Sequence, residues 1–305
     1  MERILFTLST SLLLFFISIQ LLTGPAFAQG NTSQILRISP VVLQIMLDPG
    51  TKQTYKIKVE NLLDTPLPMR VAVEGFDASD EEGGIRTSNQ EVSPLANWIK
   101  LNTSDVIIPA KNTYDFEAEI LVPKKVPIGG YFAMIFFSPV VPSKTVAAKI
   151  GVVVLANVGV AADQKNTGDI TEFRFDKSLY QKGPVQATIR VKNTSLNYFS
   201  AMPTVTIKPL FGAEQIFELE EKTILPGKTR RWQRVFEAGK LYHGLYTARL
   251  AVSLEKGDFI YAQTYFFGFP LTKSVGVTLI AGLILYGVLF RKRVAKALWL
   301  LFHRH

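Results

Sequence analysis

The chain has 305 residues, a formal net charge of +9 and no cysteine. That length is too great for one small sandwich, and the lack of thiols excludes both disulfide stapling and cysteine-based zinc sites. Arg3, the tail residues Arg291, Lys292, Arg293, Lys296 and Arg304, and the acid Glu2 lie in the terminal segments. Without them, residues 29–273 carry 28 basic and 24 acidic side chains, a net +4. So mild an excess argues against nucleic acid and leaves neutral or anionic cell-surface material as the partner class.

The chain opens with an apolar stretch, Ile4 to Leu22, preceded by Arg3 and broken by Gly24-Pro25. Ala26-Phe27-Ala28 then puts small residues at positions −3 and −1 of a cut before Gln29. This is the layout of a secretory signal peptide over 1–28, and the cleavage site favours removal over an uncleaved anchor.

Residues 29–163 are expected to form a first β-domain and residues 164–272 a second. Ile57 and Val59 alternate with Lys56 and Lys58, and Ile189 and Val191 alternate with Arg190 and Lys192, a period of two. Asp48-Pro49-Gly50, Gly83-Gly84, Lys182-Gly183-Pro184 and Pro226-Gly227 supply the turns. No stretch between 29 and 272 shows a helical period. The two halves also repeat each other. Tyr55–Asn61 matches Ala187–Asn193, Ile108-Pro109-Ala110-Lys111-Asn112-Thr113 matches Leu225-Pro226-Gly227-Lys228-Thr229, and Gly129–Ile135 matches Gly244–Leu250. Three matched blocks in one order indicate a duplicated fold. The fold class is therefore all-β, two tandem immunoglobulin-like β-sandwiches, joined near Ala161–Gly168. Asn61 and Asn193 each close a strand, a structural role.

The apolar strands Tyr131–Phe137 and Ile150–Val158 are expected to be buried on both faces or shielded by a neighbour. At a sheet edge, either would invite a strand from another chain. The core placement is the favoured one.

A second apolar segment, Val275 to Phe290, is followed at once by Arg291-Lys292-Arg293. It is expected to be a single transmembrane helix over 273–290, with 291–305 as a basic cytoplasmic tail and residues 29–273 outside the cell membrane.

His243 stands alone, without ligand partners at metal spacing, and reads as a turn residue. Asp77, Asp80, Glu81 and Glu82 before Gly83-Gly84 lack the alternation of a calcium loop and read as a solvated hairpin tip. Glu117 and Glu119 share one strand face, turned to solvent. Asn31, Asn102 and Asn193 sit in Asn-x-Ser/Thr sequons, a short motif common by chance. There is no nucleophile elbow and no phosphate loop. No catalytic, cofactor-binding or metal-binding residue is assigned, no cofactor is expected, and the chain reads as a non-enzyme.

The succession Ile38-Ser39-Pro40, Leu47-Asp48-Pro49-Gly50, Tyr55–Asn61, the acidic Gly-Gly hairpin, Trp98-Ile99, Ile108-Pro109, Val122-Pro123 and Gly129-Gly130-Tyr131 resembles bacterial cell-surface proteins of the WxL-interacting family. The opening of the first domain is also similar to periplasmic pilus chaperones, with a Pro-Gly turn and a strand ending in Asn. The first resemblance implies tandem Ig-like domains, a C-terminal anchor, and a binding or scaffold protein whose first domain docks cell-wall polymer or another surface protein. Membrane lipid would be a partner through the C-terminal helix. The second implies the alternative, a membrane-tethered chaperone or assembly factor for exported proteins.

Overall fold

The computed structural model describes residues 35–88, 93–140, 149–161, 164–210, 212–237, 244–255 and 258–291. The signal segment, Asn31, His243 and the tail beyond Arg291 lie outside the described residues.

Among the described residues, ten strands build the first sandwich. They are β1 (Leu36–Ser39), β2 (Val42–Leu47), β3 (Lys52–Asn61), β4 (Leu67–Ala78), β5 (Ile85–Ser88), β6 (Ile99–Leu101), β7 (Asp105–Ile108), β8 (Thr113–Leu121), β9 (Gly129–Pro139) and β10 (Ile150–Val158). One sheet runs β1-β3-β8-β6 and the other β2-β10-β9-β4-β5, with β7 also on β4. The second sandwich has β11 (Gly168–Phe175), β12 (Leu179–Tyr180), β13 (Val185–Asn193), β14 (Phe199–Pro209), β15 (Gln215–Glu218), β16 (Lys222–Ile224), β17 (Thr229–Phe236), β18 (Gly244–Ser253) and β19 (Phe259–Gly268). Its sheets run β11-β13-β17 and β12-β19-β18-β14-β15, with β16 on β14. The all-β, Ig-like reading holds.

The duplication is visible in the pairing. In each sandwich the first strand joins one sheet antiparallel, β1 to β3 and β11 to β13. The chain then crosses to lie parallel to the last strand of the other sheet, β2 to β10 and β12 to β19. Period-two alternation fills each core from both sheets: Ile57, Val59, Phe116 and Phe137 in the first, Ile189, Val191, Trp232 and Phe266 in the second.

Asn61 and Asn193 are fully buried and do the same work. Asn61 Nδ2 donates to the carbonyls of Thr65, Ile108 and Pro109, while its Oδ1 accepts from Leu63 N–H. Asn193 Nδ2 donates to the carbonyls of Asn197 and Ile224, and its Oδ1 accepts from Ser195 N–H. Each side chain supplies the backbone partners that the chain loses as it leaves a strand.

A single helical turn, α1 (Leu95–Trp98), escaped the sequence reading; four residues are too few to show a period. Leu95 and Trp98 plug it into the core. At the other end, α2 (Leu271–Leu289) occupies the stretch in which the sequence places a membrane span. Its 19 residues give a rod of about 28 Å. Among the described residues, no helix is long and apolar enough to cross a membrane. Val275, Leu279, Ile280, Leu283, Ile284, Leu285 and Val288 are nonetheless exposed around the helix.

Candidate functional site

The two sandwiches meet across the outer face of β9 and β10, which explains their unbroken apolar sequences. Phe76, Phe132, Met134 and Leu155 of the first sandwich pack with Tyr198 and Leu225 of the second in a small core of their own. The Phe132 and Tyr198 rings meet edge to face at 6.2 Å. Tyr198 O–H donates to Leu155 C=O at 3.2 Å, Tyr198 N–H donates to Asn157 Oδ1, and Gly130 N–H donates to Leu196 C=O. Burial pushes the Tyr198 phenol up to about 12, with the nearby Glu255 carboxylate adding to the effect.

The acidic hairpin between β4 and β5 corrects the sequence reading of a solvated tip. Its carboxylates bind the second sandwich. Glu81 Oε2 accepts from Arg190 Nε at 2.8 Å, Asp77 pairs with Lys228, and Glu82 pairs with Arg231. Arg231 N–H also donates to Glu81 C=O. Asp80 instead holds the tip's shape, its Oδ1 accepting from the N–H groups of Glu82, Gly83 and Gly84. Those bonds, Gly84's first, hold its carboxyl below the ordinary aspartate range. Gly83, at φ +116°, lies over Arg230; a Cβ there would stand 2.8 Å from Arg230 Nη1. Burial lowers the Arg230 pKa, while Asp80 and Glu82 oppose that shift. Glu117 and Glu119 face solvent as expected, paired with Lys56 and Lys52.

Beside this interface lies an open strand edge. Tyr131–Phe137 is not that edge. β9 is flanked by β10 along Gly129–Phe137 and by β4 from Ala133 onward. In β10, Val153–Val158 is covered by β2. On the β10 side of this sheet the edge strand is β2, a position that only the strand crossover reveals; β5 lies at the opposite end. Val153 N–H donates to Val41 C=O, which sets the phase of the parallel ladder. Odd-numbered residues therefore face β10, and the main-chain groups of Val42, Gln44 and Met46 turn outward. Among the described residues, no strand pairs with them. Val42 and Met46 are also exposed, at 41% and 49%.

Two cavities open along this edge. One of about 410 Å³ is walled by Val42, Phe76, Ile85, Leu155, Leu225 and Arg230, and touches Gln44. One of about 240 Å³ is lined by Gln44, Met46, Asn157, Asn197, Tyr198 and Glu255. Among the described residues, no group of three or more His, Cys, Asp or Glu is placed to hold a metal.

A different surface lies on β19. Phe259, Tyr261, Tyr265 and Phe267 all stand on its outer face, with Tyr261 74% exposed.

No protein-family model matches the chain, and no curated protein sequence matches it. Solved structures do. A chaperone–tip adhesin complex of CFA/I fimbriae biogenesis matches at 10% identity and TM-score 0.42, over 75% of this chain and 98% of that one. The class 5 fimbriae chaperone CfaA matches at 12% identity and TM-score 0.42, over 75% and 98%. The CsuC–CsuE chaperone–tip adhesion subunit complex of Acinetobacter baumannii matches at 9% identity and TM-score 0.41, over 77% and 99%. The resemblance to pilus chaperones thus has chaperones among its structural neighbours, and that to the WxL-interacting family is not confirmed. Likeness at this level carries nothing about activity or partners.

Proposed function

We propose that the chain is a non-enzymatic assembly factor, a chaperone for exported proteins, that captures extended segments on the free edge of β2. The observation that supports this is the outward-turned main chain of Val42, Gln44 and Met46 beside cavities between two docked domains. Strand addition draws affinity from main-chain bonds and selectivity from pockets that take alternate side chains. The domain interface fixes the cavity walls before any segment arrives, so binding spends little on ordering them. We also place the protein at a membrane, with α2 and the basic residues after it as the anchor. Apolar side chains exposed all round a helix are out of place in water.

Hydrogen exchange on the full chain in detergent tests the capture reading. The Val42, Gln44 and Met46 amides exchange freely alone and become protected when an unfolded exported polypeptide is added. Unchanged exchange with every such polypeptide refutes it.

The β19 stripe favours a second reading, docking of cell-wall polymer. The apolar C–H face of a sugar ring packs on an exposed aromatic face. Binding to purified wall material that survives Tyr261→Ala with Tyr265→Ala would dismiss that role for the stripe.

A further inference from the structure

The outer face of the second sandwich is apolar at the end from which the chain leaves for α2. Register places Leu179 of β12 beside Phe267 of β19, and Phe267 beside Leu245 of β18. Leu210, just past β14, donates its N–H to Leu245 C=O at 2.9 Å. The four side chains form one row across neighbouring strands, and all four are exposed. Two residues farther from that end, the row is Lys208, Thr247 and Tyr265. The next is Thr206, Arg249 and Gln263. Each step is roughly 6.6 Å. Apolar, then tyrosine with lysine, then polar is the order met on passing from a bilayer's hydrocarbon boundary into water.

The apolar row is held close to the helix. Phe267 N–H donates to Ser178 C=O and Phe269 N–H to Tyr180 C=O, so β19 is tied to β12 as far as the residue before Pro270. α2 starts at Leu271. Phe267 is four residues from that start, at most about 14 Å of extended chain. The other exposed aromatics of β19, Tyr261 and Phe259, stand about 20 and 26 Å farther along the strand.

We propose that Leu179, Leu210, Leu245 and Phe267 lie in the headgroup layer of the membrane that α2 enters, with Tyr265 and Lys208 on its water side. The inference rests on the placement of α2 in a membrane. Such an interface takes apolar side chains to a depth of about 5–10 Å and favours tyrosine rings and lysine at its border. Lys208 adds attraction to anionic headgroups. This second contact beside the helix restrains the tilt of the sandwich, which a single covalent junction would leave free.

The chain has no cysteine, so single thiols report without background. Leu210→Cys, Leu245→Cys, Ser253→Cys and, within α2, Leu283→Cys are each labelled with a fluorophore. All four positions are exposed or half-buried, so the labels leave the core intact. The full chain is reconstituted into vesicles of phosphatidylcholine and phosphatidylglycerol, with nitroxide quenchers either on the headgroups or along the acyl chains. The headgroup quencher should remove most of the signal at Leu210→Cys and Leu245→Cys. It should spare Ser253→Cys, about 26 Å along β18 from Leu245. The acyl-chain quencher should act on Leu283→Cys. Quenching at Leu283→Cys without quenching at Leu210→Cys and Leu245→Cys overturns the docked row and leaves the anchor standing. No quenching at Leu283→Cys overturns both. Labels in the row that ignore lipid and respond only to added wall material assign it to wall polymer and likewise overturn the proposal.

Discussion

Glu81 and Arg190 are 109 positions apart in sequence and meet at 2.8 Å across the boundary between the two sandwiches. Arg190 is shared, since its Nη1 donates to Glu172 in its own sandwich. With each side chain of the pair 37% exposed, solvent screens the attraction and limits its worth to under about 1 kcal/mol. A double-mutant cycle of Glu81→Ala and Arg190→Ala, read by thermal or denaturant unfolding, should return a coupling of about 0.5–1 kcal/mol that falls with added salt. No coupling at low salt would show that the hairpin does not dock in solution.

Gly83→Ala should cost more than that pair. The position combines φ +116° with a Cβ that would stand 2.8 Å from Arg230 Nη1. Strain of about 1–3 kcal/mol is expected at such a backbone. It should appear as weakened interdomain docking, seen as a larger radius of gyration, with each sandwich still folded. A variant as compact and as stable as the parent would contradict the placement of the hairpin.

Asn61→Ala and Asn193→Ala should resemble each other, because the two side chains hold matching turns. Each strips bonds from buried backbone groups, at about 1–3 kcal/mol per group left unpaired. Unfolding curves should show comparable losses, each in its own sandwich. A neutral substitution at either site would break the equivalence of the repeats.

Alkaline unfolding should involve Tyr180 and Tyr198, both pushed up to about 12 from an ordinary value of 10. Below pH 10 both are neutral in folded and unfolded chains. Between 10 and 12 the unfolded chain releases its protons first, so stability falls through that window and levels off above it. Tyr198→Phe should flatten part of this decline, measured by denaturant titration at several pH values. A decline with the same slope in that variant would assign the effect elsewhere.

The proposed orientation has its own check. Protease added outside the cell should digest residues 29–273 and spare an epitope placed after His305. Neutralising Arg291, Lys292 and Arg293 together should reduce membrane retention or invert part of the population. Unchanged orientation and retention would end that account of the tail.

The repeated blocks and the period-two strands were legible because local residue order sets them. Ile57 and Val59 must share a face whatever the rest of the chain does, and Asn61 must resolve its own strand end. The helical turn at Leu95–Trp98 was not legible, being shorter than one readable period. Asp77, Glu81 and Glu82 looked like a solvated tip because their partners, Lys228, Arg190 and Arg231, come from the other half of the chain. No local pattern announces a contact of that range.

The sequence by itself determined the duplicated all-β fold, since alternation and turn chemistry are properties of neighbouring residues. Only the tertiary structure decided which strand lies at an edge. The core placement favoured for Tyr131–Phe137 is the one found: β10 and β4 flank it, and its outer face is covered by Tyr198 and Leu225. The open edge fell to Val42–Leu47 because the chain crosses from one sheet to the other after Ser39 and pairs parallel with β10. Strand order depends on that crossover. Alternation records which face a side chain occupies and carries no record of which neighbour its backbone will find.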